Sequence, residues 1–208
     1  MGIEREIKLA LPPDLADAAD RFFTGIAGTP GRDVPLVNVY FDTASLALAG
    51  AKIALRLRET PEGWLQTLKA AGTAAGGLHS RHEWETPVAK DALELDTLAA
   101  ACDDETALAT LRAVAADLGE RFRTTFVRRL WRFSFDGALA EAAIDRGEVT
   151  ATVDGQTRRE TISEIELELL QGDERALHAL AGRLSAAVPG LTPEDVNKAQ
   201  RGYRLCAR

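Results

Sequence analysis

The side chains that could do chemistry fall in alternating runs. Glu4, Glu6 and Lys8 occupy every second position at the start of the chain, and Glu164, Glu166 and Glu168 do the same near its end. Successive side chains of a strand point to opposite faces, so each run puts charge on one side and aliphatics on the other: Ile3, Ile7 and Leu9 in the first, Ile165, Leu167 and Leu169 in the second. Arg56 and Arg58 alternate with Leu55 and Leu57, and Arg81, Glu83 and Glu85 oppose His82 and Trp84. Glu141 and Asp145 share a parity, and Lys69 falls on the face of Leu65 and Thr67. A single E-x-E-x-K is more often a solvated strand face; the same habit in segment after segment argues for a shared charged surface.

Gathered carboxylates repel one another and take up protons unless cations sit among them. Mg²⁺ or Mn²⁺ suits that role, being bound by oxygen ligands, typically one or two carboxylates plus substrate phosphates. The Arg and Lys rows supply the complement, because guanidinium forks match phosphate oxygens. Acids for metal and bases for phosphate imply a polyanionic phosphate substrate. With no P-loop in the sequence, side chains rather than a Gly-rich backbone would hold the anion.

These rows must be positioned by strands with helices on their apolar faces. Leu15, Ala18, Ala19, Phe22, Phe23 and Ile26 follow helical spacing after Pro12-Pro13-Asp14 and stop before Gly28. A second helical stretch, Asp96–Leu118, has Asp103 and Asp104 as capping candidates, and a third follows Gly172-Asp173 and ends at Pro189-Gly190. Asp195–Arg208 reads as a short terminal helix. Strands are predicted over Val34–Thr43, Lys52–Glu59, Trp64–Lys69, Arg121–Phe135 and Ala138–Asp145, with Ala70–Gly77 a loop and Gly137, Gly147 and Asp154-Gly155 as turns. In Arg121–Phe135 the parity is ambiguous: Arg121, Arg123 and Arg129 share one face, Arg128 and Arg132 the other. Alternation alone leaves open whether the charged faces look into water or into the lumen of a closed barrel.

The 208 residues suffice for one large domain or two small ones, and 46% apolar content supports a sizeable core. A net charge of -7 disfavours broad nucleic-acid or anionic-membrane binding, and no stretch reaches the roughly 20 apolar residues of a membrane span. A cytoplasmic location is expected. Cys102 and Cys206 lack metal-ligand or disulfide spacing, and His79, His82 and His178 are scattered, with packing or surface roles expected. Trp64, Trp84 and Trp131 are expected to pack under helices.

The ordered set Glu4-x-Glu6-x-Lys8, Tyr40-Phe41-Asp42-Thr43, Leu55-Arg56-Leu57-Arg58, Gln66-Thr67-Leu68-Lys69, Glu164-Ile165-Glu166-Leu167-Glu168 and Lys198-x-x-Arg201-Gly202-Tyr203 resembles the CYTH domains, or triphosphate tunnel metalloenzymes, over nearly the whole chain. Gly76-Gly77-Leu78-His79-x-Arg81-x-Glu83 is similar to the bacterial inorganic triphosphatase subgroup, which often carries a helical CHAD domain. None follows here, so the resemblance implies a stand-alone enzyme or a domain excised from a longer chain. It further implies an α+β fold over a single domain, 1–208: an eight-stranded antiparallel β-barrel whose charged lumen forms a tunnel, with helices packed on the outside. Glu4, Glu6, Glu166 and Glu164 or Glu168 would bind metal. Arg56, Arg58, Lys69, Arg81, Arg128 (or Arg129), Lys198 and Arg201 would grip phosphate, with Lys8 beside them. Glu83, Glu85, Glu141 and Asp145 would orient those bases or bind a second metal. The implied activity is metal-dependent hydrolysis of inorganic triphosphate, with Glu4, Glu6 and Lys8 catalytic. The alternatives are thiamine triphosphatase or class IV adenylate cyclase chemistry, and a non-catalytic module binding polyphosphate or nucleotide.

Overall fold

The computed structural model describes residues 2–207. Arg208, assigned above to the terminal helix, lies outside them. Eight strands, β1 (Gly2–Ala10), β2 (Arg32–Asp42), β3 (Ala54–Thr60), β4 (Gly63–Ala75), β5 (Leu78–Val88), β6 (Gly119–Phe135), β7 (Ala138–Val153) and β8 (Gln156–Gln171), form one antiparallel sheet in the order β5-β4-β3-β2-β6-β7-β8-β1. Pairing of β1 with β5 closes the sheet into a barrel and leaves the eight strands without an open edge. β1 serves its two neighbours in turn, Gly2–Ile7 against β5 and Glu6–Ala10 against β8. A two-residue strand, β9 (Thr192–Pro193), lies against Leu9 and Ala10.

Apolar outer faces of the strands demand cover, and two clusters supply it. Helices α1 (Ala16–Ala27) and, later in the chain, α5 (Glu174–Ala187) lay Phe23, Leu177, Leu180 and Leu184 over Ile7, Trp131, Ile165 and Leu167. On the other side α2 (Ala47–Gly50), α3 (Leu95–Ala101) and α4 (Glu105–Val114) place Leu48, Leu98, Leu108 and Leu111 over Leu55, Leu68 and Trp84. Each such side chain contributes about 1.5–3 kcal/mol when fully buried. The Trp84 indole also donates to Asp103 Oδ1 at 2.9 Å. Asp42 is fully buried and its carboxylate accepts from the amides of Thr43, Leu48 and Ala49, anchoring α2 to the end of β2.

The last helix, α6 (Lys198–Ala207), is placed differently. Its Leu205 and Tyr203 pack on Phe122, Val149 and Ile162, which face into the barrel, so α6 fills one end of the interior. Gly202 permits this: a Cβ there would stand 2.1 Å from the Phe122 ring. No helix among the described residues is long and apolar enough to cross a membrane.

Several local expectations change. Ala70–Gly77 is not a loop; after a bulge between Lys69 and Gly72, β4 continues to Ala75 and pairs with β5. Gly147 is not a turn but lies within β7, where a Cβ would approach Thr125 O to 2.1 Å. Asp96–Leu118 breaks into α3, α4 and a 3-10 turn at Ala115–Asp117, because Asp104 caps α4 by accepting from Thr106 and Ala107 amides. β3 starts at Ala54 rather than Lys52, and α6 at Lys198 rather than Asp195. Gly137 and Asp154-Gly155 do form the expected turns, with positive φ at each.

Candidate active site in the barrel lumen

Strand register turns the separate charge rows into one inner wall. Lys8 stands opposite Glu166 and Glu6 opposite Glu168 across β1 and β8, while Glu4 faces Arg81 across β1 and β5. Arg128, Asp145 and Glu164 align across β6, β7 and β8, and Lys69 pairs with Glu83 across β4 and β5. The wall encloses a cavity of about 450 Å³ lined by seven carboxylates and seven Lys or Arg side chains. The β6 parity is settled: Arg128 faces the lumen, and Arg129 faces outward to Asp20 of α1 at 2.5 Å.

At the deepest point Lys198, reaching in from α6, sets its Nζ 2.6 Å from Asp145 Oδ2, 2.5 Å from Glu164 Oε1 and 2.8 Å from Glu166 Oε1. Lys8 bonds Glu166 and lies 3.3 Å from Glu6; Arg128 grips Asp145 through two hydrogen bonds of 2.9 and 2.7 Å and also donates to Glu166. Burial alone would raise the Asp145 and Glu166 carboxyls, but the cations reverse it: Arg128 and Lys198 hold Asp145 below the ordinary range, and Lys198, Lys8 and Arg128 hold Glu166 well below. The same contacts outweigh burial at Lys198 and Lys8 and keep both ammonium groups above the usual lysine range.

A second network lies on β1, β4 and β5. Arg81 donates to Glu4 at 2.7 Å and to Glu6 at 3.1 Å, and Lys69 bonds Glu83 at 2.5 Å and Glu4 at 3.1 Å. Burial opposes ionisation of Glu4, yet Lys69 and Arg81 bring it well below its normal value. Arg56 donates to Thr67 at 3.1 Å and lies 3.4 Å from Glu83 and 3.6 Å from Glu85, and its buried Nε has no hydrogen-bond partner. At the cavity mouth Arg132, largely exposed, bonds Glu141 at 2.6 Å.

Among the described residues, two cavity groups lack an ion-pair partner. Arg58 has the neutral Asn38 Oδ1 as its acceptor at 2.7 Å, and burial together with Arg56 and Arg128 brings it down to about 10. Among the described residues Glu168 has no basic partner; burial, then Glu4, Glu141 and Glu6, pushes it up to about 8. The first leaves a cation facing the cavity without an acid, and the second an acid without a base. That second demand fits a hard divalent ion, since oxygen donors surround it. Asp145, Glu164 and Glu166 also bring oxygens within 4.8 Å of one another, but Lys198 Nζ already sits among these three.

Most of the residues picked out from the sequence thus meet at one cavity. Asp145 and Glu164 do not line it; both are fully buried behind its wall. Arg201 does not line it either, and instead sits 3.0 Å from Glu164 Oε2 and 3.0 Å from Glu194. Tyr40 lines the cavity and stacks on Phe122 with centroids 4.4 Å apart. His79 is buried, its Nε2 bonded to the Glu194 carbonyl at 2.9 Å. Sequence reasoning missed Asn38 and Thr67 as partners of the arginines, although both share parity with lumen residues. It also missed Ile3, Leu169 and Leu170 at the cavity mouth, which alternation alone does not mark.

The profile of the CYTH domain family matches residues 2–203. An inorganic triphosphatase of Haemophilus influenzae is 29% identical over 209 residues, which cover 97% of this chain and 54% of that protein, so the chain spans about half the length of that relative. Among solved structures, a Hippeastrum protein described as an adenylyl cyclase with a dominant triphosphatase activity superposes with a TM-score of 0.63 at 20% identity, covering 97% of this chain and 95% of that one. A Bacillus halodurans protein described as a candidate adenylate cyclase gives a TM-score of 0.55 at 19% identity, covering 97% and 98%. At these identities the two structures speak for the fold alone.

Proposed function

The chain belongs to the CYTH domain family, and from that premise we propose that it hydrolyses inorganic triphosphate to pyrophosphate and phosphate in the lumen, with Mg²⁺ or Mn²⁺. The observation that carries this reading is the pair of unmatched groups, Arg58 and Glu168, in a wall otherwise balanced at six acids and six bases. A wall whose acids and bases are paired cannot take in a bare polyanion without an electrostatic penalty. The anion would therefore enter together with a cation, the one satisfying Arg58 and the other Glu168.

In this reading Glu4, Glu6, Glu166 and Glu168 hold the metal, with Glu164 orienting from behind through Lys198 and Arg201. A bound divalent ion would offset charge on the phosphoryl oxygens and lower the pKa of water. Arg56, Arg58, Lys69, Arg81 and Arg128 bind the phosphate oxygens and fix the chain for in-line attack. Water adds to the terminal phosphorus as the bond to the bridging oxygen breaks. Glu4 or Glu6 takes the water's proton, and the pyrophosphate anion leaves against Lys8 and Lys198.

The apolar mouth formed by Ile3, Leu169 and Leu170 favours a second reading, in which the tail of an organic triphosphate rests there. Phosphate release from tripolyphosphate, ATP and thiamine triphosphate, each with and without Mg²⁺ or Mn²⁺, tests both readings. Metal-dependent turnover with tripolyphosphate preferred is expected; turnover of none of the three refutes the enzyme reading. Full activity in Glu4→Gln and Glu166→Gln would refute the metal assignment.

A further inference from the structure

Of the seven basic side chains lining the lumen, six lie within 3.4 Å of a carboxylate oxygen. Arg58 is the exception among the described residues, and its surroundings are built to keep it so. Its Nε donates to Oδ1 of Asn38 at 2.7 Å. Asn38 is fully buried, stands behind the cavity wall rather than in it, and donates its Nδ2 to Thr124 Oγ1 at 2.7 Å. Both ends of the amide are engaged. A flipped amide would set its NH₂ against the guanidinium N–H, so the oxygen is the end that faces Arg58.

Strand register shows how this arrangement arises. Arg58, Asn38 and Thr124 stand in one row across β3, β2 and β6, and Leu65 of β4 flanks Arg58 on the other side. No acid occurs among the four. The adjacent row aligns Tyr40, Arg56, Thr67 and Glu85 across β2, β3, β4 and β5, and there the arginine lies 3.6 Å from a carboxylate. An aspartate in place of Asn38 would be nearly isosteric and could keep both contacts, because the Thr124 hydroxyl can donate as well as accept. The amide differs from it chiefly in charge. A carboxylate would pair with Arg58 and compete with any anion in the cavity, whereas the amide fixes Nε and leaves the outer fork of the guanidinium available to an oxyanion.

We propose that Asn38 is a positioning residue for anion binding: by tethering Arg58 through a neutral acceptor it aims the guanidinium at the cavity without neutralising it, so that a phosphoryl group of the substrate completes the pair. This deepens the triphosphatase reading and rests on it for the identity of the anion.

Binding is measured calorimetrically with Mg²⁺ and the imido analogue of tripolyphosphate, whose nitrogen bridges resist hydrolysis, beside steady-state kinetics with tripolyphosphate itself. Asn38→Asp is expected to weaken analogue binding and raise the KM about tenfold, the scale of adding one like charge near the anion in a partly open cavity. The kcat should stay within about twofold, as for a loss of uniform binding, and the urea midpoint should not fall, since both hydrogen bonds persist. A role for Asn38 in strand packing alone predicts wild-type affinity in this variant. Leu65→Glu, compared with Leu65→Gln, brings a carboxylate to Arg58 from the other neighbouring strand and should weaken binding to a similar extent, which keeps the test open should Asn38→Asp fail to fold. Analogue affinity and KM within about twofold of wild type in every folded acidic variant would overturn the proposal. Analogue binding that Asn38→Asp weakens about tenfold, in a protein that cleaves no triphosphate, would uphold the role of Asn38 and refute only the hydrolase reading. A protein that neither binds the analogue nor turns over any triphosphate would overturn both.

Discussion

Removing the charge of Glu168 should stabilise the metal-free protein at alkaline pH. Burial and the carboxylates of Glu4, Glu141 and Glu6 push this group from 4.5 to about 8. In the unfolded chain it ionises near 4.5, whereas the folded protein retains the proton to about 8. The unfolded state is thus favoured progressively as pH rises through that window; stability present below 4.5 is lost by the time pH passes 8. Three to four pKa units correspond to a ceiling of about 5 kcal/mol, and solvent at the partly open cavity reduces this to roughly 2–3 kcal/mol. Urea unfolding at pH 5.5 and 8.5 with a chelator present measures it, with Glu168→Gln beside wild type. The difference between the two proteins isolates this group, because all other residues are common to both. Wild type should lose roughly 2–3 kcal/mol more than Glu168→Gln across the interval, and added Mg²⁺ should restore wild type alone at pH 8.5. Parallel loss in the two proteins would refute the assignment of Glu168 as the unmatched acid.

Arg58→Met removes the lumen cation without a carboxylate partner; KM for tripolyphosphate should rise at least about tenfold while thermal stability holds or improves, because no acid is left uncompensated. Arg128→Gln should abolish turnover and cost about 3–5 kcal/mol by stranding Asp145 and Glu166, whereas Arg129→Gln, outside the barrel, should leave kcat/KM unchanged; parallel steady-state kinetics and denaturation separate the two. Gly147→Ala forces a Cβ to 2.1 Å from Thr125 O and should cost more than about 3 kcal/mol in urea unfolding. Lys198→Met leaves Asp145, Glu164 and Glu166 without their shared ammonium; Asp145 and Glu166, which Lys198 helps to hold low, should titrate upward and acid-side stability should fall, read as a higher midpoint pH of acid unfolding.

Charge alternation made β1, β3, β5 and β8 readable because a period of two survives in any strand that separates an apolar from a charged face. It failed in β6, where Arg128 and Arg129 are neighbours and only the packing of Arg129 on Asp20 decides which turns inward. Closure was not written in periodicity; the pairing of β1 with β5 spans more than seventy residues, and the family resemblance supplied it. The loop expected at Ala70–Gly77 was misjudged because Ala and Gly are weak strand formers, and the ladder to β5 overrides that preference. Gly147 was misread as punctuation because close backbone approach and a turn both demand glycine. Lys198 and Arg201 were found, but their separation into one lumen residue and one residue behind the wall depends on how α6 enters the barrel.

The double pairing of β1 has a kinetic consequence. This strand is made before either of its partners, Leu78–Val88 and Gln156–Gln171. It must wait, unpaired and half apolar, until the second of them has been synthesised. Contacts so distant along the chain slow folding, and an unpaired strand is open to association with other chains in the interval. Its alternation of Glu4, Glu6 and Lys8 with aliphatic residues therefore acts before any lumen exists, as charge that keeps a waiting strand from pairing with its copies.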